Sequence, residues 1–258
     1  MQCWYIGSMH GNLVTMIIKC IVAYDGYNYA GWQKQENALG IQTIIESALE
    51  KIQKKPVDIV ASGRTDARVH AIGQVFHFQS DIDMKPWQYV KAMNALLPQD
   101  IRIQSAEIMP DDFHARFSCK SKQYAYIATY DTTNPFMSRY KAPLYQSLDM
   151  EKMLEAAAYF IGEHDFTSFS SSRIDPRKPR IKNIRTIEIR NEKKDVCFLF
   201  EGNGFLRYQV RMMTGTLIEV GKHRIQPQDV EKMLLQKDKE VCRYNAPPQG
   251  LYLMKVRY

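Results

Sequence analysis

The densest polar stretch of the chain is Ser62-Gly63-Arg64-Thr65-Asp66-Ala67-Arg68-Val69-His70-Ala71. Its single carboxylate, Asp66, is flanked by two arginines. A carboxylate beside a guanidinium is expected to stay ionised, because the opposite charge lowers its pKa. An ionised, positioned carboxylate is a fair nucleophile or general base. The same residues would also make a structural salt bridge at a strand end, and composition alone does not separate the two. A second candidate, Phe205-Leu206-Arg207-Tyr208-Gln209-Val210-Arg211, opens a late helical pattern. Arg207 and Arg211 stand i,i+4 and share a face. Such a pair is either a solvated basic face or a guanidinium that orients a carboxylate from elsewhere. Third, Tyr124 and Tyr126 alternate onto one face of a strand that follows Lys120 and Lys122. Aromatics beside lysines suit base stacking, whereas Tyr126 reads as core.

Other chemistries lack their residues. There is no P-loop, no G-x-G-x-x-G, no H-E-x-x-H and no G-x-S-x-G. Asp111-Asp112 after a proline reads as a turn or cap, and His70, His77 and His114 show no ligand spacing. No metal and no nucleotide cofactor are expected. The five cysteines include no C-x-x-C pair and are odd in number, which points to a reducing compartment, the cytoplasm. Met1 to Thr15 lacks a basic n-region and an apolar h-region, so it reads as an N-terminal extension, not a secretory signal. No run approaches the ~18–20 apolar residues of a membrane helix.

These candidates must be held by ordinary elements. Ile17 to Tyr24 reads as a strand, Gln42 to Ile52 as a helix, Val57 to Ala61 and Gln74 to Gln79 as strands, Pro86 to Leu96 as a helix and Ile101 to Ile108 as a strand. That is β-α-β-β-α-β. The second half repeats the plan: a strand from Gln123 to Tyr130, and a helix from Met150 to Ile161 with Asp149 as N-cap. Strands from Ile184 to Arg190 and Val196 to Glu201 follow. Leu206, Val210, Met213, Leu217 and Val220 share one helical face ended by Gly221; a short helix from Pro227 to Leu235 and a strand from Leu251 to Arg257 close the chain. The expected fold is α+β: two ferredoxin-like halves, residues 16–118 and 119–258, joined through a central, mostly antiparallel sheet with a cleft between them.

Charge is uneven. The chain of 258 residues carries +7, and residues 173–194 hold nine basic and three acidic residues, +6 of that total. A concentrated basic strip suits a phosphate backbone better than a uniformly solvated surface does. Arg177, Lys178 and Arg180 within it, and Arg207 and Arg68 outside it, are the candidates for contacting a polyanion such as nucleic acid.

The loop around Gly63-Arg64-Thr65-Asp66-Ala67 resembles that of the TruA family of tRNA pseudouridine synthases. Further stretches match in order: Tyr24-Asp25-Gly26 with Tyr29-Ala30-Gly31-Trp32-Gln33, Val69-His70-Ala71, Asp111 to Phe117, Tyr124, Asp165 to Phe169, Phe205 to Arg211, and Gly250-Leu251-Tyr252-Leu253. The resemblance implies a cofactor-free isomerase that converts uridine to pseudouridine in tRNA, at positions 38, 39 and 40 of the anticodon stem-loop, usually as a homodimer. It implies that Asp66 is the catalytic aspartate and Arg211 its basic partner. Tyr124 then stacks on the target base, Arg64 helps flip it, and Arg116 contacts substrate. Asp66 would attack C6 of the base or C1′ of the sugar, or deprotonate the sugar. The family usually has glycine where this chain has Arg68. If that position needs φ > 0, a side chain costs of order 1 kcal/mol; Arg68 would otherwise add a phosphate contact. Two alternatives stand beside this reading: the same isomerisation at another RNA site, and a non-catalytic RNA-binding paralogue.

Overall fold

The computed structural model describes residues 15–172 and 179–258. Arg177 and Lys178, and most of the N-terminal extension, lie outside the described residues. The first half of the chain forms β1 (Met16–Tyr24), α1 (Ile41–Gln53), β2 (Val60–Ala61), β3 (His70–Ser80), α2 (Pro86–Leu96) and β4 (Ile101–Met109). The second forms β5 (Ser121–Thr129), β6 (Ala142–Pro143), α3 (Met150–Ala158), β7 (Gly162–Asp165), β8 (Ile181–Glu192), β9 (Asp195–Gly202), α4 (Gln209–Gly221), α5 (Pro227–Gln236) and β10 (Leu251–Arg257). Among the described residues no helix is long and apolar enough to cross a membrane.

Local signals explain most boundaries. On α1 the apolar residues Ile41, Ile45, Ala48 and Leu49 are buried on one face. Pro86 opens α2, where its missing N–H costs nothing. Asp149 caps α3 by accepting from the Lys152 N–H at 3.0 Å. Three expectations are corrected. The helix expected to reach Ile161 stops at Ala158, because Gly162, at φ +103°, turns the chain into β7. The strand expected from Val57 pairs only at Val60 and Ala61. Leu206 continues the apolar period of α4 but precedes it, because Tyr208 sits in the left-handed region at φ 68°. The Gln209 side chain closes that turn by accepting from Leu206 N–H at 2.8 Å.

Among the described residues the strands form one ten-stranded sheet, in the order β4-β1-β3-β10-β5-β9-β8-β7, with β2 beside β3 and β6 beside β5. The C-terminal strand β10 is the centre. It lies antiparallel to β5 and parallel to the start of β3. Its Leu253 pairs with Ala71 on one side and Tyr124 on the other, and Tyr124 pairs with Phe200 of β9. Directly paired residues share a sheet face. The end of the Asp66 loop and Tyr124 are therefore held at one level, two strands apart.

The core beneath is aromatic. Trp32 packs between Tyr24 and Phe76 at ring separations of 6.0 and 6.2 Å, and Phe160, Phe166 and Phe169 form a second group. Each such buried ring contributes about 2–3 kcal/mol. Helix α4 is buried along almost its whole length, so Arg211 in its first turn has a rigid base.

Candidate active site

The Asp66 loop runs from Ser62 to Val69, between β2 and β3. Its backbone is tied down at each end and in the middle. Ser62 N–H donates to the Val75 carbonyl at 2.8 Å, and the Gln74 amide donates to the Gly63 carbonyl at 2.9 Å. The Thr65 hydroxyl is hydrogen-bonded to the Tyr24 hydroxyl at 2.8 Å, and the Thr65 carbonyl accepts from Trp32 N–H at 3.1 Å. The loop after β1 supports it from below. Gly31, at φ +94°, lies so close that a Cβ there would stand 2.6 Å from the Thr65 carbonyl oxygen. The Tyr24 to Gln33 stretch is thus the bed on which the Asp66 loop lies.

Asp66 meets α4. Arg211 Nη1 is 3.5 Å from Asp66 Oδ2 and Arg207 Nε is 3.8 Å from Oδ1. The arginines differ in setting: the Arg211 side chain is 11% exposed and that of Arg207 46%. Arg211 is also held from behind, where its Nε donates to the Ala246 carbonyl at 2.8 Å. Both guanidinium groups lie over the Tyr208 ring, at 4.9 Å for Arg207 and 5.1 Å for Arg211. The left-handed backbone of Tyr208 therefore places one ring against both partners of Asp66.

Electrostatics here corrects the sequence expectation. The loop's own arginines do not pair with Asp66; Arg64 and Arg68 are exposed. The carboxyl is raised above the ordinary aspartate range, because burial outweighs the lowering by Arg211 and Arg207. Tyr124 is buried, edge-on to Phe205 at 5.1 Å. Burial pushes its hydroxyl up, and the charge on Asp66 adds to that. It is a neutral phenol beside a carboxylate. Tyr126 is core, its hydroxyl donating to the Pro247 carbonyl at 2.9 Å.

The remaining candidates scatter. Arg68 has φ 64°, so the chain keeps the left-handed backbone that a glycine would favour there. Its guanidinium lies 5.3 Å from the Tyr27 ring centre, and Arg139 lies 4.7 Å from the same ring. Arg116 is exposed over Phe117 in the turn before β5. Arg180, within the basic strip, reaches the Ser170 hydroxyl at 3.4 Å. Sequence reasoning passed over three contributors: Tyr208, the Ala246 carbonyl, and Lys122, whose Nζ donates to the Ser62 carbonyl at 2.6 Å. Tyr208 lies in the Phe205 to Arg211 stretch and Lys122 alternates onto the Tyr124 face, whereas the Ala246 carbonyl has no signal in the sequence.

The arrangement provides a carboxylate between two guanidinium groups, with a buried tyrosine on the adjoining sheet face. It suits attack on, or proton removal from, an electron-poor carbon. Comparison with known proteins agrees. The family model described as tRNA pseudouridine synthase matches residues 20–118 and 156–258, which include the Asp66 loop, β10 and α4. The tRNA pseudouridine synthase A of an Exiguobacterium species (strain AT1b) is 48% identical over 93% of this chain and 97% of its own length. That of Bacillus pumilus is 44% identical over 94% and 99%, and one from Listeria monocytogenes 43% over 93% and 98%. The chain belongs to the tRNA pseudouridine synthase family.

Proposed function

We propose that this protein isomerises uridine to pseudouridine in tRNA, with Asp66 as the reacting carboxylate and Arg211 as the group that orients it. The observation that carries the reading is the meeting of Asp66 with Arg211 of α4 and with Arg207 just before that helix, in a chain of this family. The reaction breaks the C1′–N1 bond and makes a C1′–C5 bond. The C5 proton leaves and N1 gains one, so atoms balance without a redox partner or a nucleotide. Attack at C1′, attack at C6 and deprotonation of the sugar all ask for an ionised Asp66, which Arg211 and Arg207 favour against its burial.

The target base must leave its stack, at a cost of a few kcal/mol. Arg64 is exposed two residues from Asp66 and free of ion pairs among the described residues, as a side chain entering the vacated space must be. Tyr124 supplies the aromatic ring for the target base, Arg207 a cation at the carboxylate, and Arg116 and Arg68 exposed cations farther out for the RNA. The targets are uridines 38, 39 and 40 of the anticodon stem-loop, and the working form is a cytoplasmic homodimer of two-half subunits.

The test is pseudouridine mapping of unmodified tRNA transcripts incubated with wild type and with Asp66→Asn. Wild type is expected to modify the anticodon stem-loop, and the variant to bind the RNA without modifying it. Modification elsewhere moves the site to another RNA position. An unchanged pattern with Asp66→Asn removes the carboxylate from the reaction.

A further inference from the structure

Lys122 precedes Tyr124 by two residues on β5, so both side chains project from one face of the sheet. Its ammonium donates to the Ser62 carbonyl at 2.6 Å, at the head of the Asp66 loop. Gly63 leaves room for it: a Cβ there would stand 2.6 Å from Lys122 Nζ. An ammonium has three donors, and this contact uses one.

The register extends that face outward. Lys122 pairs with Gly202 on β9, and Gly202 with Ile184 on β8. Lys182 lies two residues before Ile184 and shares its face. Arg116, exposed in the turn before β5, is close enough for its charge to act on both lysines. Burial pushes both ammonium groups down, and the charge of Arg116 adds to that at each, opposed at Lys122 by Cys119.

The neighbouring carboxylate is on the opposite face. Glu201 pairs with Gln123, one residue out of phase with Lys122, and is engaged by Arg185 at 3.7 Å and Arg257 at 3.8 Å. Among the described residues no carboxylate is in ion-pair range of Arg116, Lys122 or Lys182. Three cations gathered without a counter-charge disfavour one another. An anion entering among them relieves the repulsion and takes charge-assisted hydrogen bonds.

Resting on the isomerase reading above, we propose that Arg116, Lys122 and Lys182 form a phosphate site that takes one backbone phosphodiester of the RNA, beside the nucleotide held at Asp66. Lys122 links the two, since the ammonium that meets the phosphate also holds the carbonyl four residues before Asp66. Seating of the backbone then positions the catalytic loop. Lys122 is a positioning residue; Arg116 and Lys182 hold substrate.

The experiment is a cycle between protein and RNA. Full-length tRNA is ligated from synthetic pieces carrying one neutral methylphosphonate, either 5′ or 3′ of the target uridine. At one of these linkages, wild type is expected to lose about 10-fold in kcat/KM, mostly in KM. Lys182→Gln and Arg116→Gln are expected to lose about as much on native tRNA, and to lose little more on the neutralised one. Thermal melting establishes that each variant is folded. Additive losses at both linkages overturn the site. Additive losses together with stabilisation of wild type by inorganic phosphate, absent in Lys182→Gln, would make it a site for the free ion and equally overturn it. Failure of the isomerase reading looks different: wild type then makes no pseudouridine in any tRNA.

Discussion

Arg211 reaches Asp66 from the first turn of α4, its Nη1 3.5 Å from Oδ2, while its Nε is fixed by the Ala246 carbonyl at 2.8 Å. One planar guanidinium thus joins the Asp66 loop of the first half to the segment that leads into β10. A lysine has no fork to make both contacts. Arg211→Lys is expected to keep the fold and lose about 100-fold in kcat/KM, roughly 2–3 kcal/mol of transition-state stabilisation. Steady-state kinetics on a tRNA transcript, with a thermal melt as control, checks this; a loss under threefold would deny Arg211 the orienting role.

The raised carboxyl of Asp66 has a kinetic sign. In the proposed reaction Asp66 acts ionised, so the acid limb of kcat/KM against pH is expected above the ordinary aspartate range, set first by burial. Arg207 lowers that pKa, so removing its charge must raise it. Arg207→Gln is expected to move the limb to higher pH while leaving the plateau within about threefold, since the Arg207 side chain is nearly half exposed. A limb that moves to lower pH contradicts this.

Gly31 tests the bed under the loop. At φ +94°, with a Cβ 2.6 Å from the Thr65 carbonyl oxygen, Gly31→Ala must bend the backbone or push the loop away. A stability loss of roughly 2–3 kcal/mol is expected. Displacement of Asp66 by even about 1 Å would cost about 100-fold in rate. Denaturant unfolding and single-turnover kinetics read the two effects separately, and an unaffected rate would show that the loop does not depend on Gly31.

Arg68 pays for its left-handed backbone, and Arg68→Gly removes that strain, about 1 kcal/mol. The same change gives up a stacking contact with Tyr27 of about 0.5–1 kcal/mol. Stability is expected to stay within about 1 kcal/mol. If Arg68 meets a phosphate, the slope of log K against log salt for tRNA falls by roughly one. An unchanged slope assigns Arg68 to its stack with Tyr27 alone.

The basic strip makes a larger version of the same prediction. Neutralising Arg177, Lys178 and Arg180 together is expected to weaken tRNA binding and to lower the salt slope by up to about three. Filter binding across a salt series measures it. An unaltered slope would place the RNA elsewhere.

Periodicity carried much of the fold. The helix Pro86–Leu96 and the strand Leu251–Arg257 are read off the sequence to the residue, because a proline start and an alternating run are local signals. Helix ends were less legible: Gly162 and Tyr208 turn the chain by backbone conformation, and apolar spacing does not register that. Asp66, Arg211 and Tyr124 were visible as residue types in motifs. Their meeting was not, for it depends on β10 lying between β3 and β5, with Leu253 level with both Ala71 and Tyr124.

By itself the sequence determined which residues can do chemistry, which segments repeat with helix or strand period, and where the positive charge lies. These are properties of neighbours along the chain. Only the tertiary structure decided that Asp66 pairs with Arg211 and Arg207, not with the arginines beside it, and that burial raises its carboxyl. It also placed Lys122 at the head of the loop. Desolvation and ion pairing sum over everything within a few ångströms, and strand register, not sequence separation, sets what lies there.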